Sequence, residues 1–443
     1  MSFTEVGILS TLIMVFLLFI GLPIAANFFI VGFFGITAIL GFNRAVSILG
    51  QSLYHTVAVP TWAALPLFIL MGALASKGGF ASKAYKNFNK ALLGLPGALG
   101  VTTCFACAAF GVISGSAAAT AAIFGKIAYP EMKRYGYEKT FAVATIASAG
   151  TFAAMIPPSG LMVVYCLLTE QSIGRLFAAG FIPGSITAMV YAISIMYRAK
   201  YNPKLVKKPL DIDDDLEKIN FSSRIKALLN TWPVLLIGFL VVGGILSGMF
   251  TPTEGAAVGC VSTFILAFLQ GYFRNKEDII ESLKQSASTT SMLFIIIIGA
   301  LFFSRFIAYT RIPSILTSWV ISLHIPGVLV LTGVLLVWFV LGMIIIPDAI
   351  FALTIPLMFP VIVNLGYDPI WFGIVTIKLS EIANVTPPVG LNLFTIQGAV
   401  GRDVKIHEIY NGIWPFVLCD VIVLILIILF PQIVLWLPNL LFN

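Results

Sequence analysis

The chain has 443 residues, 59% of them apolar and only 10% charged, with 38 Gly, 23 Pro and 36 Phe. Soluble domains carry roughly 45 to 50% apolar and about 25% charged residues, so this composition excludes one and describes an all-helical, polytopic membrane protein with almost no room for a soluble enzymatic domain. The 26 Lys and Arg against 19 Asp and Glu give +7, but the basic residues lie in short loops between apolar runs, where the positive-inside rule puts them, and not on a nucleic-acid-binding face.

Apolar runs at about 4–20, 22–42 and 60–76 predict the first three spans. No basic region precedes the first run, so it reads as a retained helix and not a cleaved signal. The run at 96–129 is too long for one helix and is interrupted at Ile113-Ser114-Gly115-Ser116-Ala117. Lys77, Lys83, Lys86 and Lys90 stand before it and Lys126, Lys133, Arg134 and Lys139 after it. Basic flanks on both sides make it a re-entrant hairpin that returns to the cytoplasmic face. Spans follow at 140–170 and 177–197, and then a polar stretch, Arg198 to Lys226, with eight basic residues. A cytoplasmic connector over 198–230 is the expectation. Further spans are predicted at 231–250, 255–273, 286–310, 370–400 and 410–437, ten in all, with a second interrupted run at 326–363 broken between Gly342 and Asp348. With the basic loops Arg274 to Lys284 and Arg402 to Lys405 inside, the flanks of this second hairpin, near His324 and Asp368, fall outside, as do both termini.

Shifting the sequence by 230 lays Pro96, Gly97, Pro130, Gly136, Tyr137, Pro157, Pro158 and Gly160 on Pro326, Gly327, Pro360, Gly366, Tyr367, Pro387, Pro388 and Gly390. Residues 1–197 and 231–443 therefore read as an inverted repeat, each half with one re-entrant hairpin and one broken helix (140–170 and 370–400). Many secondary transporters are built on this plan. A channel is the competing class. A membrane-embedded enzyme lacks support, since no His cluster and no serine beside a base is evident.

Proline inside a span frees backbone carbonyls that a bilayer cannot satisfy. Pro157 and Pro158 free those of Ala153 and Ala154; Pro387 and Pro388 free those of Ala383 and Asn384. Clustered oxygens at the midplane suit a hard cation such as Na⁺, whereas the bland alternative is a kink repaired by neighbouring helices and water. The first hairpin tip, Ser114 to Thr120, is small and hydroxyl-bearing, which suits close approach to a ligand or, alternatively, tight helix packing. Asp348 occupies the second tip beside Pro347, and an ionised residue at that depth is a functional candidate. Arg305 is a natural partner for an anion; Arg311 also fits an interfacial anchor. Thr251-Pro252-Thr253-Glu254 fits a capping box, and Lys378 and Glu381, three apart, neutralise each other. Cys104, Cys107, Cys166, Cys260 and Cys419 fall in apolar stretches and read as packing residues. The chain carries no P-loop for ATP.

At Gly115-Ser-Ala-Ala-Ala-Thr-Ala-Ala-Ile-Phe-Gly125, Met155-Ile-Pro-Pro-Ser159 and Thr386-Pro-Pro-Val-Gly-Leu-Asn-Leu-Phe394, the chain resembles the large membrane subunit (DctM type) of tripartite ATP-independent periplasmic (TRAP) transporters. Gly180-Phe-Ile-Pro-Gly184 and Thr251 to Gly255 extend the likeness over nearly the whole chain. The resemblance implies a bacterial inner-membrane, Na⁺-coupled importer of organic acids with an elevator-type ion-transporter fold. Its implied partners are a small four-helix membrane subunit (DctQ type) and a periplasmic substrate-binding protein (DctP type). Because the chain begins at its first span, it resembles an unfused large subunit. One Na⁺ is then expected between Ser114, Gly115, Ser116 and the break Gly150, Ala153, Ala154, Pro157, and a second between Pro347, Asp348 and Ala383, Asn384, Thr386. Substrate is expected within reach of Ser114, Ser116, Thr120, Ser159 and Asn392, with Arg305 and Arg311 as further candidates. The overall sequence is similar to sialic-acid-type members, with C4-dicarboxylate members the runner-up, and no single residue decides between them.

Overall fold

The computed structural model describes residues 2–206, 221–322 and 325–442. Its described residues are almost wholly helical, with one isolated bridge between Tyr137 and Val206 and no strands. Six helices among them are long and apolar enough to cross a membrane: Pro60–Lys77, Ile173–Tyr201, Pro252–Leu269, Lys276–Thr310, Pro347–Asn364 and Ile406–Leu429. Two pairs bent at short breaks raise the number to eight, Lys139–Met155 with Gly160–Thr169 at 41° and Phe221–Leu229 with Trp232–Leu246 at 44°. The apolar helices Phe3–Phe19 and Ile24–Leu40 are a little shorter.

Several expected boundaries move. The run at 410–437 is not one span, because Phe430-Pro431 ends Ile406–Leu429 and a separate helix, Gln432–Phe442, turns back against Ile173–Tyr201. The span placed at 286–310 starts ten residues earlier, at Lys276. The connector at 198–230 is partly helical at both ends, and Arg224 reaches back to the carbonyl of Leu93 at 2.9 Å. Residues 207–220 of it, and His324, lie outside the described residues. Three described helices, Phe42–Val57, Phe80–Leu92 and Ile312–Ser322, fall where no element was predicted. The first two are amphipathic, with polar residues on one side, so a search for continuous apolar runs passes over them.

Both interrupted runs turn where expected. The first hairpin is Ala98–Ser114 and Ala117–Arg134, with Gly115 in the left-handed region (φ 59°) at its tip. The second is Gly327–Gly342 and Pro347–Asn364. The broken helices are Lys139–Met155 with Gly160–Thr169, and Pro369–Val385 with Leu391–Val400. The same local devices recur at the 230-residue offset. Glu138 caps its helix by accepting the N–H groups of Thr140 and Phe141, as Asp368 accepts those of Ile370 and Trp371. Tyr137 stacks on Phe141 at 6.2 Å and Tyr367 on Trp371 at 5.4 Å.

Glycine sets how closely these pieces pack. A Cβ on Gly111 would stand 3.0 Å from the Cα of Ala153, and one on Gly342 would stand 2.6 Å from the Cβ of Ala383, so each hairpin presses on its own broken helix at a matching point. The halves also interlock, since Leu391–Val400 packs on Ala117–Arg134 and Ile406–Leu429 on the helix that begins at Lys139. A second, smaller apolar cluster, including Met14, Phe28, Ile36, Phe302 and Phe306, joins the amino-terminal helices to Lys276–Thr310.

Gly150 is the clearest test of this packing, because an added Cβ would meet the Cβ of Ala121 at 2.8 Å and its backbone at 3.0 Å. Gly150→Ala should destabilise by about 1 to 3 kcal/mol through overpacking, outweighing the ~1 kcal/mol helix-propensity gain. Gly50→Ala, in open space on the helix Phe42–Val57, should be neutral or slightly stabilising. Thermal unfolding of both variants in the same detergent measures the contrast; equal melting temperatures would contradict it.

Candidate functional site

The two hairpin tips and the two helix breaks meet around one cavity of 640 Å³. Of the residues singled out from sequence, Ser114, Gly115, Ser116, Ala154, Pro347, Asp348, Asn384 and Asn392 line it. The opposite wall comes from the helices Ala64–Lys77 and Lys276–Thr310 through Phe68, Gly72, Ser76, Gln285, Thr289 and Met292. Sequence reading passed over this wall. Gln285, Thr289 and Met292 are spaced at helical periodicity and give a signal only once their helix is known to face the tips.

The first tip is held from three directions. The Ser114 hydroxyl pairs with that of Thr120 at 2.7 Å, and Ser116 caps the following helix by accepting the N–H of Ala119. Across the gap, the N–H of Gly160 donates to the carbonyl of Gly115 at 3.3 Å, tying tip to break. From the far wall, Gly72 approaches so closely that a Cβ there would stand 2.4 Å from the carbonyl oxygen of Ser114.

At the first break, Pro157 and Pro158 have no N–H to give Ala153 and Ala154, as the sequence implied. The second break departs from expectation. The N–H of Thr386 donates to the carbonyl of Ala383 at 3.1 Å, so this oxygen is engaged by a tightened turn, and the Thr386 hydroxyl donates to the carbonyl of Ile382 at 2.6 Å. The side-chain oxygens of Ser159, Asn384 and Asn392 are buried without a hydrogen-bond partner. Asn392 also donates to the carbonyl of Ala147 at 3.0 Å, binding the second broken helix to the first. Gly150, Ala153, Pro157, Ala383 and Thr386 stand behind the lining residues, as do Thr120 and Ser159, and hold them in place.

Four helices begin at this cavity: Ala117–Arg134, Gly160–Thr169, Pro347–Asn364 and Leu391–Val400 each contribute first-turn residues to its lining. Helix N-termini present unpaired N–H groups and a partial positive charge of roughly half a unit each. The convergence favours an anion without any basic side chain, and Asp348 is the one charged residue in the lining.

The arginines expected near substrate are elsewhere. Arg305 is exposed and donates to the hydroxyl of Ser52 at 2.9 Å. Arg311 ends the helix Lys276–Thr310 in the left-handed region (φ 60°) and lines a separate cavity with Pro313, Pro356 and Pro360. Arg305 thus has a hydroxyl partner of its own, and neither arginine is among the residues that line the cavity between the tips. Glu254 forms the expected capping box, accepting the Thr251 N–H at 2.8 Å. Lys378 and Glu381 do pair, at 3.0 Å, and Lys378 has a second partner in Asp420 at 2.7 Å. All five cysteines are free and buried.

The fold and the cavity define a polytopic membrane permease whose interrupted helices surround a solute-sized space. The family model for the DctM component of tripartite ATP-independent periplasmic transporters matches residues 11–433, and the chain belongs to that family. It is 35% identical, over 92% of its length and 93% of the other's, to the C4-dicarboxylate TRAP transporter large permease protein DctM of Pseudomonas aeruginosa. It is 30% identical, over 96% of both chains, to the sialic acid TRAP transporter large permease protein SiaM of Vibrio cholerae. In fold it is similar to the YdaH transporter of Alcanivorax borkumensis, with a TM-score of 0.59 over 88% of this chain and 89% of that one at 14% identity.

If substrate binds at this cavity, Asn392→Leu should weaken its half-saturation concentration by about 10-fold or more, the loss of one hydrogen bond to a charged group. Arg305→Gln should leave it within about twofold. Uptake titrations on the two variants separate the positions, and the reverse ranking would move the site to the Arg305 surface.

Proposed function

We propose that this chain is the large permease of a Na⁺-coupled importer that carries an organic acid across the bacterial inner membrane by an elevator movement. The observation that carries the reading is the cavity between four helix N-termini with oxygen-rich breaks beside it. An anion meets N–H groups and hydroxyls there; the carbonyls of Ala153 and Ala154 and the oxygens of Asp348, Asn384 and Ser159 suit hard cations. A channel would need no such closed set of half-helices.

Ser76 and Gln285 line the cavity next to the exposed Lys77–Glu281 ion pair (2.7 Å), on the lysine-rich side that charge assigns to the cytoplasm. The described conformation is thus read as inward-facing. In the proposed cycle, the hairpins and broken helices travel together against the helices Ile24–Leu40, Ala64–Lys77, Pro252–Leu269 and Lys276–Thr310. On the same side, Asp403 bonds to Lys133, lies 3.9 Å from Lys139 and accepts the Tyr129 hydroxyl at 3.4 Å, which fastens the second broken helix to the first hairpin so that they move as one. Lys133 holds the Asp403 carboxyl below its ordinary value. Capture of dilute substrate falls to a periplasmic binding protein, with a small membrane subunit as the other partner. C4-dicarboxylates are the first acids to test, on the greater likeness to the dicarboxylate relative, and sialic acid the second.

Reconstituted with the small subunit in proteoliposomes, the chain should take up acid only with an inward Na⁺ gradient and with loaded binding protein outside. Uptake indifferent to Na⁺ would favour a channel; efficient uptake of free acid at micromolar concentration would point to an ordinary carrier. The inverted-repeat topology is tested apart from activity. Single cysteines at Lys86 and Lys133, in a background without the native five, should both react with an impermeant thiol reagent only from the cytoplasm, and labelling from opposite faces would make the first hairpin a transmembrane pair.

A further inference from the structure

We propose that Lys378, Glu381 and Asp420 form a positioning cluster that couples the two helix breaks, so that an ion bound at one raises the affinity of the other for its ion. The inference rests on the sodium reading above. All three side chains are buried, and Lys378 donates to Glu381 at 3.0 Å and to Asp420 at 2.7 Å. The hydroxyl of the buried Tyr191 donates to the second Asp420 oxygen at 2.5 Å. Asp420 is thereby fixed by two donors from two helices, and Lys378 is fixed by Asp420.

Glu381 is placed between the breaks. It precedes Ala383 by half a turn, on a helix that packs against the short helix Phe152–Met155 of the first break. That short helix carries the Ala153 and Ala154 carbonyls, and the ring of Tyr191, whose hydroxyl holds Asp420, lies 5.1 Å from the ring of its Phe152. Glu381 Oε1 has no hydrogen-bond partner, so the carboxylate is tethered through Lys378. When an ion draws the second break into place, Glu381 moves with its helix, and the shift passes through Lys378, Asp420 and Tyr191 to Phe152 and the carbonyls beside it. Linkage makes the effect reciprocal.

Stability alone does not account for the cluster. Charges in a membrane interior are costly, and buried ion triads are often no more stable than apolar side chains of similar volume. The same fact supplies the test. The variant Lys378→Met/Glu381→Met/Asp420→Leu should fold, whereas single removals leave an uncompensated charge; Glu381→Gln, which keeps the Lys378–Asp420 pair, serves as the second variant. Thermal unfolding of the chain with its small subunit in lipid nanodiscs is followed across a Na⁺ titration, with choline holding ionic strength constant. The wild type should show a Hill coefficient near two, and both variants one near unity, with half-saturation raised about tenfold, inside the usual range of coupling between sites. Lys378→Arg should retain the steep curve. A steep curve in both variants would overturn the inference while leaving sodium binding intact. A wild type whose unfolding ignores Na⁺ would overturn the sodium reading and this inference with it.

Discussion

A peptide group inside a bilayer needs a partner, and the cavity of this chain is built where four helices begin. A continuous helix satisfies its own backbone, so an interruption is tolerated only where other polar groups converge. Here the ends face one another. The N–H of Gly160 reaches the carbonyl of Gly115, Asn392 reaches that of Ala147, and Ser116 closes the end of its own helix. Such short reaches demand close backbones, which explains why Gly111, Gly150 and Gly342 lie at contacts where a Cβ would collide. The cavity is then the space that remains when interrupted helices are packed as tightly as their glycines allow.

How much of this was legible in the sequence depended on range. Features set by neighbours in the chain were readable: the Thr251 cap with Glu254, the Pro-Pro breaks and the small first tip, because local chemistry alone decides them. The 230-residue offset was readable for a related reason, since the landmarks are backbone-controlling residues whose positions are visible without knowing what they touch. Features set by distant partners were not. Lys378 showed its neighbour Glu381, but nothing marked Asp420, 42 residues on, as its second partner. Arg305 looked like an anion ligand because its nearest polar partner, Ser52, is 253 residues away. The helices Phe42–Val57 and Phe80–Leu92 escaped because amphipathic segments lack the continuous apolar run that marks a span.

The two walls of the cavity differ in kind. Hydroxyls, amides and helix ends crowd the side built from hairpins and breaks, whereas the side from Ala64–Lys77 and Lys276–Thr310 offers Phe68, Ile69, Met292 and Leu293 with only Ser76, Gln285 and Thr289 among them. A surface that binds solute tightly on both sides would resist sliding. One rich in directional partners facing one that is largely apolar lets the binding elements carry their ligand along a wall that makes few demands. This asymmetry fits the proposed elevator movement, in which selectivity would lie with the side that moves.

Electrostatics also bears on the proposed cotransport of ions with an acid. Asp348, the one charged side chain in the lining, opposes an anion, and the four helix ends supply only partial charges against it. In a low-dielectric interior the repulsion between two carboxylates is far stronger than in water. A Na⁺ held by the second tip and break would cancel the Asp348 charge, and one at the first break would add to the positive ends already there. Substrate affinity would thus be low without the ions and high with them. Reciprocity requires that the acid tighten the ions to the same degree, so one carboxylate placed among converging helix ends would link the acid to the ions.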